Sequence, residues 1–189
     1  TLPDELRPEP LGLQKKGILN NSGIEGLSLS SDGQSVLAAV ERPLLQENDQ
    51  EKRFVHFYEF AKAESSSPHQ DYIYPLSENG FMTGVSEVLS LEEKKYFVLE
   101  RGISPQIGNA IFYMTSLSLV DLNDVKIENK KKILRKSLLN VELGSENFEA
   151  MAWGPSWGKY DRTLWILNDN NFSKSEKNVF LVFGLSKKT

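Results

Sequence analysis

Three glutamates, Glu25, Glu87 and Glu149, stand at equal intervals along the chain (87 − 25 = 62 and 149 − 87 = 62). Two residues after each comes an apolar residue, Leu27, Leu89 or Met151, and two further on comes Leu29, Leu91 or Trp153. Downstream of the glutamates lie Glu41-Arg42, Glu100-Arg101 and Asn168-Asp169. Carboxylates held close together repel unless a cation, an arginine or protonation relieves them. Hard oxygen donors without Cys or His suit Ca2+ or Mg2+ rather than zinc. One reading is therefore a Ca2+ site built from Glu25, Glu41, Glu100, Glu149 and Asp169. In it the ion polarises an ester and lowers the pKa of a bound water, with Glu87, Arg42 and Arg101 as the catalytic set and the arginines clamping anionic oxygens. The other reading is structural. Glu41-Arg42 and Glu100-Arg101 then make ion pairs between neighbouring units, and the rim carboxylates accept backbone N–H groups.

The elements that must position these residues are hairpins. Residues 23–44 alternate Leu27 and Leu29 with Ser28 and Ser30, turn at Ser31-Asp32-Gly33 and return through a small-residue strand. Asp-Gly between alternating runs is a strong hairpin signal. Residues 84–102 and 147–172 have the same shape. Antiparallel pairing places Glu25 opposite Val40 and next to Glu41, Glu87 opposite Leu99 and Glu100, and Glu149 opposite Asn168. Every hairpin thus carries its acid and its Glu-Arg or Asn-Asp on one rim. Outer strands are expected at residues 53–60, 70–76, 109–117, 132–141 and 178–185, rich in aromatic and β-branched residues. A helical turn is expected within residues 118–129.

A period of about 60 residues with four strands per unit is the pattern of β-propeller blades. The chain reads as all-β: about three four-stranded blades at residues 23–83, 84–146 and 147–189, roughly half of a six-bladed propeller. Residues 11–19 form a strand completing a neighbouring blade. Propellers close with about 4–8 blades, so the missing partner is a further propeller segment, in cis or as a separate chain.

Composition excludes several functions. The chain of 189 residues is 39% hydrophobic and 25% charged, as globular domains are. Its net charge of −4, from 26 acidic and 22 basic residues, offers no general attraction to nucleic acid. The absence of Cys removes disulfides, thiolate metal sites and a cysteine nucleophile. No apolar run reaches the ~18 residues of a membrane helix.

Several motifs carry no chemistry. Gly154-Pro155-Ser156-Trp157-Gly158 matches a nucleophile elbow in letters but lies between two strands, without the strand-to-helix turn that motif needs. His56 alternates with Phe54 and Tyr58 and reads as a packed histidine, while His69 sits in a Ser/Pro loop. The lysines of residues 126–136 read as a solvated outer edge strand. Trp153, Trp157 and Trp165 read as core or inter-blade packing.

The asparagine-rich lead into Gly23-Ile24-Glu25-Gly26-Leu27, the two Glu-Arg dipeptides, Asn147-Phe148-Glu149 and Asn168-Asp169-Asn170-Asn171-Phe172 occur together and in order. In that combination the chain resembles the phytase-like family, also described as "esterase-like activity of phytase", from about Gly12 to Leu185. The resemblance implies a β-propeller exported by bacteria, periplasmic or extracellular and surface-attached. It also implies a preceding N-terminal half and a calcium-dependent phosphoester or ester hydrolase acting on an anionic small molecule. Ala150 departs from the family pattern, which has glycine after the third glutamate. The alternative is a non-catalytic envelope module for binding or scaffolding.

Overall fold

Short alternating runs separated by Asp-Gly, Asn-rich and Pro-rich breaks become strands in the computed structural model. It describes residues 3–7, 15–47, 53–62, 70–78, 80–104, 112–139, 141, 143–174 and 176–186. The first four strands are β1 (Ile24–Leu29), β2 (Ser35–Val40), β3 (Phe54–Ala61) and β4 (Gln70–Pro75). The next four are β5 (Phe81–Glu92), β6 (Lys95–Ile103), β7 (Tyr113–Glu128) and β8 (Lys131–Leu139). The last three are β9 (Phe148–Gly154), β10 (Arg162–Asn168) and β11 (Phe180–Leu185). The β1–β2 turn is as expected: Gly33 takes a φ of +69°, and the Asp32 carboxylate accepts from Ser30 Oγ (2.6 Å) and Gln34 N (3.0 Å).

Eight strands form one sheet in the order β1-β2-β3-β4-β8-β7-β6-β5, and β11-β10-β9 form a second. The eight-stranded sheet doubles over, so that its β1–β4 and β5–β8 halves face each other. Their shared core includes Leu37, Phe57, Tyr74, Val88, Tyr96, Val98 and Leu134. Phe57 and Tyr74 stack there at 4.8 Å. The alternate residues of β6, Phe97 and Leu99, face the other way and pack with Phe148, Met151, Leu164 and Ile166 of the three-stranded sheet. Period-two alternation thus lets one strand serve two cores, making three stacked layers. Each large side chain so buried contributes roughly 1.5–3 kcal/mol.

The first two four-strand units share one sheet, because β4 and β8 pair in parallel through Tyr72↔Lys132 and Ile73↔Ile133. Three expectations need correction. Through that pairing β8 is no solvated edge, and its Lys136 reaches inward. Residues 118–129 hold no helical turn among the described residues. β7 runs through them, and its register with β8 shifts between Val120 and Val125, where Asp121 Oδ1 accepts from Asn123 N. Residues 15–19 form bends rather than a strand, since Gly17 takes a φ of +92° and its N–H donates to Gln46 Oε1. Residues 11–14 of that expected strand, and His69, lie outside the described residues.

Buried charge joins the layers' edges. Glu59 accepts from Ser35 Oγ (2.9 Å), Tyr72 OH (3.3 Å) and Lys94 Nζ (2.5 Å). A buried carboxylate persists only with such partners. His56 is packed, as its alternation implies, and stacks on Tyr58 with ring centroids 5.6 Å apart. Its Nδ1 lies 2.9 Å from Asp71 Oδ1 and its Nε2 2.8 Å from Glu47 Oε2. Burial alone would lower its pKa, but the hydrogen bonds and charges of Asp71 and Glu47 raise it from 6.5 to about 9.

A histidine raised on folding stabilises the protein fully below its unfolded pKa and loses that contribution as pH rises through the folded one. The melting temperature is therefore expected to fall between pH 6.5 and 9, with a free-energy loss on the order of 3 kcal/mol. Thermal melts across this range should show the slope in the parent protein and a nearly flat profile in His56→Gln. Identical slopes would remove the assignment.

Candidate functional site

The hairpins form as the sequence predicts, and Glu87 faces Leu99 as expected. Each carries a bulge at the same end, however, so that Val40 and Asn168 face Ile24 and Phe148 rather than Glu25 and Glu149. Ile24 pairs with Val40 and Gly26 with Ala39, leaving Glu25 extra. Phe148 pairs with Asn168 and Ala150 with Leu167, leaving Glu149 extra. In the middle hairpin Val85 pairs with Glu100 and Glu87 with Leu99, so the extra residue is Ser86, not Glu87. A bulged residue leaves the ladder and is re-aimed. Accordingly Glu25, Ser86 and Glu149 open onto a polar cleft of about 420 Å3.

Glu41, Arg42, Arg101 and Asp169 also line this cleft, with Asn21 and Asn171. Six of the eight residues predicted for the site are thus together. Glu87 and Glu100 are not, and both assignments are corrected. Neighbouring strand residues point to opposite faces, so Arg101 on the cleft sends Glu100 into the first core. Glu100 is only 1% exposed and accepts from Tyr74 OH (2.5 Å), Ser77 N (2.7 Å) and Lys136 Nζ (2.9 Å). Its charge keeps the Tyr74 phenol, already disfavoured by burial, well above its ordinary range.

Glu87 lies where β1, β5 and β9 meet. Its carboxylate accepts from Val88 N (2.9 Å) and from the backbone N–H groups of Leu27 and Met151, one strand to either side. Burial pushes its pKa up despite these donors. It stitches β1, β5 and β9, the structural role weighed for the rim acids.

Arg101 is the hub of the cleft wall. Nη1 donates to Glu149 Oε1 (2.6 Å) and Asn147 Oδ1 (2.6 Å), and Nη2 donates to Glu41 Oε1 (3.1 Å). The guanidinium also lies 5.9 Å from the centroid of the Tyr113 ring. One cation therefore bridges the end of β2, the body of β6 and the start of β9. Arg42 is different. Its Nε is 3.7 Å from Glu41 Oε1 and, though buried, has no hydrogen-bond partner. Asp169 anchors the 169–172 turn, accepting from Asn171 N (2.9 Å), and its own N–H donates to Asn147 O (2.9 Å).

The donor set does not fit calcium as it stands. Glu41 and Glu149 are held by Arg101, and among the described residues no three His, Asp or Glu side chains gather as a cation would require. Ser156 lies between β9 and β10, away from the cleft. Of the tryptophans, Trp153 packs in the second core and donates from Nε1 to Ser90 O (2.7 Å), while Trp157 is exposed. Sequence reasoning missed Ser86, Asn147 and Tyr113. Only Asn147, directly before Phe148-Glu149, carried a signal.

Residues 1–172 match the family model described as "Phytase-like: Esterase-like activity of phytase". No curated protein and no solved structure matches the chain. Among the described residues, no helix is long and apolar enough to cross a membrane.

Arg101→Met leaves two carboxylates without their shared cation. Breaking such a partly buried cluster is expected to cost about 3 kcal/mol, read as a lower urea midpoint. The exposed Glu25→Gln should stay within about 0.5 kcal/mol of the parent. An unchanged midpoint in Arg101→Met would dismiss the hub.

Proposed function

The chain belongs to the Phytase-like family, and we propose on that premise that the polar cleft is an ester-hydrolysing site in which Arg42 is the anion-contacting cation. The observation that carries this is the contrast between the two arginines. Arg101 is spent on Glu41, Asn147 and Glu149, whereas Arg42 borders the cleft with no hydrogen bond made by its Nε. A guanidinium that is charged at any working pH, with donors to spare, suits an oxygen that gains negative charge as an ester is attacked.

Glu25 lines the same cleft and forms no ion pair among the described residues. It is placed to take a proton from water. The water oxygen bonds to the ester's carbonyl carbon or phosphorus, the alcohol oxygen leaves, and the proton held by Glu25 passes to it. No step runs through calcium, since Glu41 and Glu149 are held by Arg101 and Glu100 is buried in the core.

Charge selects between the ester classes. Glu25, Glu41, Glu149 and Asp169 against Arg42 and Arg101 give the cleft 2 − 4 = −2. A doubly charged phosphomonoester is repelled most by that balance, a singly charged phosphodiester about half as strongly, and a neutral carboxylic ester not at all. The three layers are taken as blades of an exported six-bladed propeller, located in the periplasm or at the cell surface. A further β segment, in cis or as a separate chain, then covers the outer face of β9–β11, where Trp165, Leu167 and Phe180 border an apolar hollow.

The second reading, a non-catalytic binding or scaffold propeller of the envelope, is favoured by the spent Arg101 and the structural Glu87. Hydrolysis of 4-nitrophenyl acetate and 4-nitrophenyl phosphate by the purified protein separates the two. The acetate should be turned over faster, with kcat/KM falling about 100-fold in Arg42→Ala at an unchanged melting temperature. Chelator should leave turnover unaltered. No turnover of either ester, or equal rates in Arg42→Ala, would favour the scaffold.

A further inference from the structure

The turn that closes one side of the cleft ends in an unusual residue. Asn171 and Phe172 both take left-handed backbone angles, with φ of +50° and +55°. That region is open to Asn but is an outlier for a bulky side chain. Phe172 is moreover 100% exposed, so no packing within the chain repays the strain. The conformation is nonetheless well held. Asp169 Oδ1 accepts from Asn171 N (2.9 Å), Asn170 Oδ1 from Phe172 N (3.2 Å) and Asn170 O from Ser173 N (2.7 Å). Asn171 Nδ2 donates to Tyr113 OH (3.4 Å), and that Tyr113 ring is the one beside Arg101.

The turn is thereby fixed to the cleft wall by two of the cleft's own residues, Asp169 and Asn171, and the next residue is the bare aromatic ring. Strain at an exposed aromatic, sustained by surrounding hydrogen bonds, belongs where function demands a geometry the chain itself disfavours. The residues lining the cleft are all polar, and Phe172, one residue past Asn171, is the exposed apolar side chain that follows them in the turn.

We infer that Phe172 is a specificity-determining residue, a stacking platform for a flat aromatic group carried by the ligand whose anionic end meets Arg42. The ligand class is an aromatic carboxylate and the esters from which it derives. Aromatic pairs favour offset or edge-to-face arrangements, and an exposed ring fixed by its backbone loses little freedom on stacking. This inference rests on the assignment of the cleft as the ester site and specifies what the site selects.

Titration of the whole protein with sodium benzoate and with sodium acetate, followed by NMR of the amide signals lining the cleft, tests both parts separately. Acetate should perturb those signals in the parent and not in Arg42→Ala. Benzoate should bind about fivefold tighter than acetate. Phe172→Ala should bring that ratio close to one, and Phe172→Tyr should preserve it. Phe172→Gly should also lose the preference while raising the melting temperature, because glycine takes the left-handed angle without strain. A ring with only a structural role would lower the melting temperature instead.

If neither anion perturbs the cleft, the site assignment falls and this inference with it. If acetate binds but benzoate binds no tighter, or Phe172→Ala keeps the preference, the site stands and the platform is overturned.

Discussion

The structure depends on how three sheet edges are made to lie together. β1, β5 and β9 are each the last strand of their sheet or half-sheet, and no ladder joins one to another. Edge strands carry unpaired N–H and C=O groups, which cost free energy when buried without partners. Side chains supply those partners at the spacing of the repeat. Ser28 Oγ accepts from Ser90 N (2.9 Å), and Ser86 Oγ donates to Phe148 O (3.2 Å), each 62 residues away. Glu87 accepts backbone N–H groups on all three strands, and Val85 N donates to Glu41 O (2.9 Å). Tight approach is part of the same device: a Cβ on Gly26 would come within 3.0 Å of Val88 N, and one on Gly84 within 2.7 Å of Glu41 O.

This constraint decides which repeated residue does what. The central strand has neighbours on both sides, so its glutamate is consumed in joining them. The flanking glutamates, Glu25 and Glu149, are lifted out by bulges and open onto the cleft. Moving the middle bulge by one residue, to Ser86, is what keeps Glu87 inside. Equivalent positions in a repeat thus separate into a structural one and two that line the site.

The sequence made the all-β class, the repeat, nearly every strand and the three hairpins legible, because alternation and turn chemistry are local. It also brought six site residues to one rim. What stayed hidden is non-local or turns on a single residue. The β4–β8 pairing arises where two outer strands from different units meet, and nothing within either strand signals it. The position of a bulge within the ladder is set by neighbouring strands. Glu100 and Glu41 look alike in sequence, each followed by arginine, yet differ in place. Glu100 and Arg101 sit within β6, where adjacent side chains must diverge. Glu41 and Arg42 lie just past the end of β2, where the chain bends and both can reach the cleft.

The two arginines then follow from their backbone settings. Arg101, held in a central strand between two layers, meets carboxylates from both and is neutralised by them. Arg42, on the bend, shares only one of these acids at a longer distance, so its positive field extends into the cleft. At 3.7 Å Arg42 Nε and Glu41 make no hydrogen bond, and a ligand oxygen that takes a direct hydrogen bond from the guanidinium competes with that contact readily. With two negative charges in excess around it, such a site rewards ligands that present one developing charge next to Arg42 and keep the rest of their surface uncharged. On the proposed reading the acid-rich wall acts as a charge filter rather than as a deterrent to all anions.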